Sequence, residues 1–219
     1  MEALNMALQL APAHAVIEAV RKIDLWPSLE AQEMLADQLG NPHRQKYPAP
    51  AKWDKHFFKC LEREIMARVR SVEGDEEVVS DSLMELIVQA QTNVGDDTDS
   101  GYVSFPTGTE PVPIRVIRSH NQVGLKVWSA GIFLAEVLQR TPGLLKGRVL
   151  LELGAGVGIT GLILARSEGV GIGLLIMTDF HEGVVDNLRH NVELGSGGSI
   201  GSCGGGSGSS SSGSSSNGN

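Results

Sequence analysis

A glycine-rich stretch late in the chain, LLELGAGVGITGL (Leu150–Leu162), carries the residue types best suited to chemistry. A run of bulky apolar residues, typical of a strand, leads into glycines spaced by one residue and then into a helical pattern. Glycine lets the backbone turn tightly and lets a ligand approach without a Cβ in the way. The stretch therefore predicts a loop that holds a small ligand at the start of a helix.

Two ligand classes fit this loop. Gly156, Gly158 and Gly161 satisfy the dinucleotide fingerprint G-x-G-x-x-G. Asp179 ends the next apolar run, where an acid takes ribose hydroxyls. Alternatively, Glu152 and the glycines after it satisfy the acid-x-G-x-G-x-G pattern of S-adenosylmethionine (SAM) methyltransferases. A carboxylate before the loop would repel a pyrophosphate, whereas the ammonium group of SAM can use one. Glu152 therefore favours SAM, and a dinucleotide-binding oxidoreductase or a purely structural turn stays as the alternative.

The elements around the loop predict an α/β fold. Short runs of apolar and β-branched residues predict strands, and three-and-four spacing predicts helices. The predicted strands are Tyr102–Phe105, Val112–Ile117, Arg148–Leu153 and Leu174–Thr178. The predicted helices of this half are Val127–Gln139, Ile159–Arg166 and Gly183–Leu194. Strand and helix alternate around the loop, which is typical of a parallel sheet.

The first ninety residues predict a small helical module. The predicted helices are Leu4–Ile23, Pro27–Leu39, Asp54–Val69 with Asp54 as its cap, and Val79–Ala90. Three prolines predict a loop over Asn41–Pro50. The acidic linker Gln91–Gly101 is predicted to be a solvated surface.

These patterns divide the chain into three predicted regions. Residues 1–92 form an all-α N-terminal module, residues 101–194 form a partial Rossmann-like SAM methyltransferase sheet, and residues 195–219 form a Gly/Ser-rich tail. The tail is predicted to be disordered because it has no apolar face to offset chain entropy. The tail carries no charged residue, so the net charge of −8 belongs to residues 1–194. Since lysines and arginines form no basic stripe, nucleic acid is not an expected partner.

Cysteine spacing and hydropathy predict a cytoplasmic protein without a membrane segment. Cys60 and Cys203 are too far apart for a disulfide framework or a zinc knuckle. No apolar run approaches the roughly 20 residues that span a bilayer. His181 and Glu182 would begin a zinc-protease motif only with histidine at the position of Val185, so no metal site is expected.

Three segments closely resemble the seven-β-strand class I SAM-dependent protein-lysine methyltransferases. They are VWSAGIFLAEVL (Val127–Leu138), Leu150–Leu162 and MTDFHEGVVDNLRHNVEL (Met177–Leu194). The stretch GYVSFPTG (Gly101–Gly108) and the helical module before it are most similar to the branch that methylates a lysine of elongation factor 2. The resemblance covers roughly residues 54–194.

The resemblance implies SAM as cofactor and a protein substrate, elongation factor 2. It implies that Trp128 packs against the cofactor and that Asp179 holds the ribose hydroxyls. The loop residues Gly154, Ala155 and Gly156 are expected to line the methionine end. Two plainer roles stay open, a core position for Trp128 and a helix cap for Asp179. No catalytic residue is assigned.

The family's later segments have no counterpart after Leu194. They are an Asp-Trp pair after the third strand and an acid with a tyrosine at the fourth. We therefore expect the catalytic domain to be truncated, and the chain as given to bind SAM weakly or not at all and to methylate nothing on its own. A non-catalytic protein-interaction fragment is the alternative function.

Overall fold

The computed structural model describes residues 2–69, 79–95, 97–107, 110–118 and 121–195. The helices are α1 (Glu2–Leu8), α2 (Ala13–Val20), α3 (Leu29–Leu39), α4 (Pro42–Lys46), α5 (Ala51–Val69), α6 (Asp81–Thr92), α7 (Ser129–Gln139), α8 (Ile159–Arg166) and α9 (Glu182–Gly195). The strands are β1 (Ser100–Phe105), β2 (Val112–Ile117), β3 (Val149–Leu153) and β4 (Leu174–Thr178). This order confirms the predicted α/β class with helices first. Residues 196–219, which hold nearly all of the predicted disordered tail, lie outside the described residues.

Helices α1, α2, α3, α5 and α6 bury one cluster of apolar side chains, with Phe57, Leu61 and Leu83 fully buried. Two of these helices begin at serine caps. The Ser28 hydroxyl accepts a hydrogen bond from Ala31 N at 3.3 Å, and the Ser80 hydroxyl accepts one from Leu83 N at 3.1 Å. Such caps satisfy backbone N–H groups that the first helical turn leaves free. The cluster lies within the predicted helical module, whose exact boundaries stay a prediction. None of the helices among the described residues is long and apolar enough to cross a bilayer.

The single helix predicted over Leu4–Ile23 is wrong, because the structure has two helices there. The chain breaks after Leu8, and Leu10 has a positive φ of 52°. Pro12 then precedes α2 and has no N–H with which to continue the first helix. The apolar spacing runs through the break because both helices bury their faces in the same cluster.

Two predictions next to α5 are also wrong. The predicted loop Asn41–Pro50 contains the short helix α4, which begins where the Asn41 side chain accepts a hydrogen bond from Arg44 N at 3.0 Å. Asp54 does not cap α5, since it lies inside the first turn and pairs with the buried Arg44 guanidinium.

In the linker predicted to be solvated, Asp99 is buried and its carboxylate accepts a hydrogen bond from Lys52 N at 3.2 Å.

Strands β1 and β2, both predicted from the sequence, pair in antiparallel orientation. Their apolar side chains join α7 and α8 in a second buried cluster. β1 also lies against the helical module, because Tyr102 N donates to Pro48 O at 2.8 Å. Leu10 packs against both clusters. The hairpin therefore joins the two halves of the described structure.

Helix α9 is fixed to β2 by two buried asparagines. Asn191 Oδ1 accepts from Arg115 N at 2.8 Å, and Asn187 Oδ1 accepts from Arg115 Nε at 2.7 Å. Both amide groups also donate to Arg115 O. Because the two asparagines bind both the backbone and the side chain of Arg115, these contacts fix the position of α9 against the hairpin.

Strands β3 and β4 pair in parallel, with Leu151 opposite Ile176. Helix α8 covers one face of this pair at Gly161, where an added Cβ would lie 2.5 Å from Met177 Sδ. The other face is uncovered among the described residues. It consists of the exposed side chains of Val149, Leu151, Leu153, Leu174 and Ile176, which we call the open face.

Candidate cofactor cleft

The glycine loop predicted from the sequence connects β3 to α8. Gly154, Gly156 and Gly158 have φ values of 67°, 58° and 82°, in the left-handed region that favours glycine. A Cβ built on Gly154 would meet no atom within 4 Å. The loop backbone therefore faces open space at that point, as a ligand-binding loop requires.

A cleft of about 440 Å³ lies at the carboxyl ends of β3 and β4. Its volume falls in the range of small-molecule sites, roughly 300–1,000 Å³. Ligands of parallel α/β sheets bind at this edge. The structure brings the predicted site residues together there: Trp128, Gly154, Ala155, Gly156 and Asp179 all line the cleft.

Trp128 precedes α7 at the rim of the cleft. Its side chain is 58% exposed, so the alternative of a core position is wrong. The indole Nε1 donates to Val123 O at 2.9 Å, which fixes the ring beside the opening. An exposed indole that is held in place offers a flat apolar surface to a ligand.

Asp179 ties the end of β4 to the glycine loop. Its Oδ2 accepts a hydrogen bond from Gly156 N at 2.9 Å. Its Oδ1 accepts from Phe180 N at 2.8 Å and from His181 N at 3.4 Å. Both N–H groups precede α9, which begins at Glu182, so the alternative role of Asp179 as a helix cap is wrong. Since an ionised carboxylate offers about four acceptor positions, Asp179 keeps capacity for a ligand hydroxyl.

Glu152, which separated the two ligand classes in the sequence, lines the inner wall of the cleft. Burial raises the pKa of this carboxyl group, and hydrogen bonds from the Thr160 side chain and the Gly161 backbone oppose that effect. The carboxylate is thus held at the start of α8, where a cationic group of a ligand would compensate its desolvation.

We expect Glu152→Gln to leave folding stability unchanged or raise it by less than about 1 kcal/mol at pH 7. The raised pKa means that the ionised group disfavours folding above the folded-state pKa, and this penalty disappears as the pH falls below the unfolded-state value. The difference between variant and wild type should therefore vanish in acid. Urea unfolding at pH 7 and pH 4 measures it, with the exposed Glu168→Gln as the surface-charge control. A stability loss at pH 7 would contradict this prediction.

Outside the glycine-rich stretch, sequence reasoning missed three polar residues of the cleft: Gln122, Lys126 and His181. Gln122 Nε2 lies 2.6 Å from His181 Nε2, so the segment before Trp128 contacts the segment after Asp179. None of the three missed residues belongs to a chemical motif. The available signal was that each lies within a few positions of Trp128 or Asp179 in the sequence.

The lysine methyltransferase family model matches residues 114–201 of the chain. The match includes most of β2, Trp128, the glycine loop and Asp179. Residues 114–201 are thus similar to the lysine methyltransferase family, and we call them the lysine methyltransferase segment. The lysine methyltransferase segment thus contains most of the second buried cluster and the whole candidate cleft.

Individual relatives extend this similarity beyond the lysine methyltransferase segment. The human protein-lysine N-methyltransferase EEF2KMT is 29% identical over 184 residues, which cover 77% of this chain and 52% of the relative. The Schizosaccharomyces pombe protein N-terminal and lysine N-methyltransferase efm7 is 33% identical over 92 residues, 42% of this chain and 35% of the relative. The human putative protein N-methyltransferase FAM86B2 is 29% identical over 184 residues, 77% of this chain and 52% of the relative. The chain spans about half the length, or less, of these relatives.

Proposed function

We propose that the cleft binds SAM and that the protein is a SAM-dependent protein-lysine N-methyltransferase. The observation that carries this proposal is that Trp128, the loop residues 154–156 and Asp179 line one cleft within the lysine methyltransferase segment. The match of residues 114–201 to the lysine methyltransferase family supports SAM over a dinucleotide as the ligand of the loop. Bound SAM supplies a methyl group on a positively charged sulfur.

The residues of the cleft suit the groups of SAM. Asp179 accepts three hydrogen bonds within the chain and keeps about one acceptor position for a ribose hydroxyl. Glu152 offers a desolvated carboxylate to a cationic group. Gly154 leaves room for the ligand beside the backbone, and Trp128 offers an apolar surface. These residues hold and orient the cofactor in the proposal, and none of them is assigned a catalytic role.

We propose elongation factor 2 as the substrate. The support is the similarity to EEF2KMT, which extends over 77% of this chain and so reaches into the helical module. The acidic net charge of −8 is compatible with a basic protein partner. Such a substrate would place the protein in the cytoplasm.

We further propose that this chain binds SAM only weakly, at about millimolar concentration, and does not methylate a substrate alone. Well-formed sites bury about 70–90% of a ligand's surface. Here Trp128 is exposed at the rim, and Leu153 and Phe180, which adjoin the cleft residues Gly154 and Asp179, are exposed as well. A second candidate function, a non-catalytic interaction fragment that binds elongation factor 2, is favoured by the helical module's own buried cluster.

Titration with SAM, followed by ligand-observed NMR, tests the cofactor assignment. We expect weak binding to the wild-type chain and none to Gly154→Ala, whose Cβ would project into the cleft. Gly147→Ala is the matched control, because Gly147 also has a positive φ (69°) and open space around it but does not line the cleft. Each variant carries the same left-handed backbone penalty of about 1–2 kcal/mol.

Two results would contradict these proposals. Sub-millimolar binding of SAM would show that the open cleft is not a weak site. An equal loss of binding in Gly147→Ala would argue against the loop as the cofactor site. So would the absence of binding to the wild-type chain at a SAM concentration of about 10 mM, tenfold above the expected dissociation constant. Nicotinamide adenine dinucleotide in place of SAM tests the oxidoreductase alternative, and we expect no binding of it.

A further inference from the structure

Lys126 has no role in the function proposed so far, yet it lines the cofactor cleft. Among the described residues that line this cleft, it is the one lysine or arginine, and the carboxylates present are those of Glu152 and Asp179. No described residue forms an ion pair with its ammonium group. SAM carries one anionic group, the carboxylate of its methionine part. A single cation in a cleft with two acids is the natural partner of that group.

The backbone of Lys126 is held firmly at the rim. It follows a tight 3₁₀ turn, Val123–Leu125, whose last side chain is buried. Val123 O accepts hydrogen bonds both from Lys126 N at 3.4 Å and from Trp128 Nε1 at 2.9 Å. Since the flexible stem of lysine begins at this fixed point, its ammonium group can reach the opening of the cleft. The residue is exposed and also borders a second cavity beside Val127 and Ile132.

The turn also lies directly against the glycine loop and α9. A Cβ built on Gly156 would lie 3.1 Å from Gly124 O, and one on Gly124 would lie 2.9 Å from Val184 Cγ2. The segment that carries Lys126 is therefore packed beside the loop glycines that are proposed to line the methionine end. Asp179 is instead the acid proposed to hold the ribose. The cation and the proposed methionine end share one part of the cleft.

We propose that the Lys126 ammonium group binds the carboxylate of SAM and so orients its methionine part. This inference rests on the proposed binding of SAM in the cleft. The side chain is exposed, so water and salt screen the ion pair, and we expect it to change affinity by roughly three- to tenfold rather than by orders of magnitude.

The experiment compares SAM with decarboxylated SAM, which lacks only the carboxylate. Dissociation constants of both ligands are measured by ligand-observed NMR at low salt for the wild type, Lys126→Met and Lys126→Arg. Lys59→Met is the matched control, because Lys59 is exposed on α5 and does not line the cleft. The ratio of the two affinities isolates the coupling between side chain and carboxylate, since other charges in the cleft act on both ligands in every variant.

We expect Lys126→Met to lower the preference for SAM over decarboxylated SAM by roughly three- to tenfold. Lys126→Arg should keep most of the preference, and Lys59→Met should keep all of it. An unchanged preference in Lys126→Met, or an equal change in Lys59→Met, overturns the assignment of Lys126 while leaving the cofactor proposal intact. If neither ligand binds the wild-type chain, the cofactor proposal fails and the inference about Lys126 fails with it.

Discussion

Replacing Gly101 with alanine is expected to destabilise the folded chain by about 3 kcal/mol or more. A Cβ built on Gly101 would lie 2.3 Å from Pro50 N and 2.7 Å from Ala49 C, which are backbone atoms. No side chain can rotate to make room, so β1 would have to move away from the start of α5. The adjacent hydrogen bond from Tyr102 N to Pro48 O would be strained by the same movement.

Gly143→Ala is the matched control for this prediction. Gly143 lies in a short 3₁₀ turn, its φ is not positive, and a Cβ there would meet no atom within 4 Å. We expect a stability change within about 0.5 kcal/mol for this variant. Urea unfolding followed by circular dichroism measures both. A Gly101→Ala chain as stable as the control would show that the two halves of the structure do not depend on this close approach.

The double variant Leu151→Thr with Ile176→Thr is expected to weaken self-association of the chain about tenfold or more. The two residues are neighbours across the parallel strands, and their side chains are 59% and 41% exposed at the centre of the open face. A contiguous exposed apolar surface promotes association, as does an unpaired strand edge. Threonine is β-branched, which suits a strand, and it adds a hydroxyl to the face.

Sedimentation analysis and binding of an apolar fluorescent dye measure this effect. Val88→Thr with Val94→Thr is the control, because these exposed valines lie at α6 and beyond its end, away from the open face. We expect the control to associate like the wild type. If both double variants reduce association equally, the open face is not the surface responsible.

Local signals were enough to predict the elements around the cleft. The observed bounds of α8 and β4 equal the predicted ones, because a glycine, Gly158 or Gly173, directly precedes each apolar run and polar residues follow it. The pattern failed where the apolar spacing continued across a break, as at Pro12. It also failed at α4, although an asparagine cap followed by Pro42 is a known start signal that could have identified this helix.

The candidate site was predictable only as far as its motif is local. The loop glycines and Asp179 belong to one β–α–β unit, so their spacing in sequence fixes their spacing in the fold. Gln122 and Lys126 reach the cleft because their turn packs against Val184 on α9. No periodicity in the sequence predicts the contact between this turn and Val184, because the contact depends on how α9 lies on the hairpin.

The asparagine contacts between α9 and β2 also bear on the order in which the chain folds. Arg115 and Asn191 are 76 positions apart, whereas β1 and β2 form a hairpin and β3 and β4 are joined through α8 alone. Closing the long loop costs more chain entropy than closing either short one. We therefore expect the hairpin and the β–α–β unit to form early and independently of each other. The asparagine contacts, which join α9 to β2, are expected to form last. Because the turn at Gly124, which lines the cleft, packs against Val184 on α9, the shape of the cleft is completed in that last step.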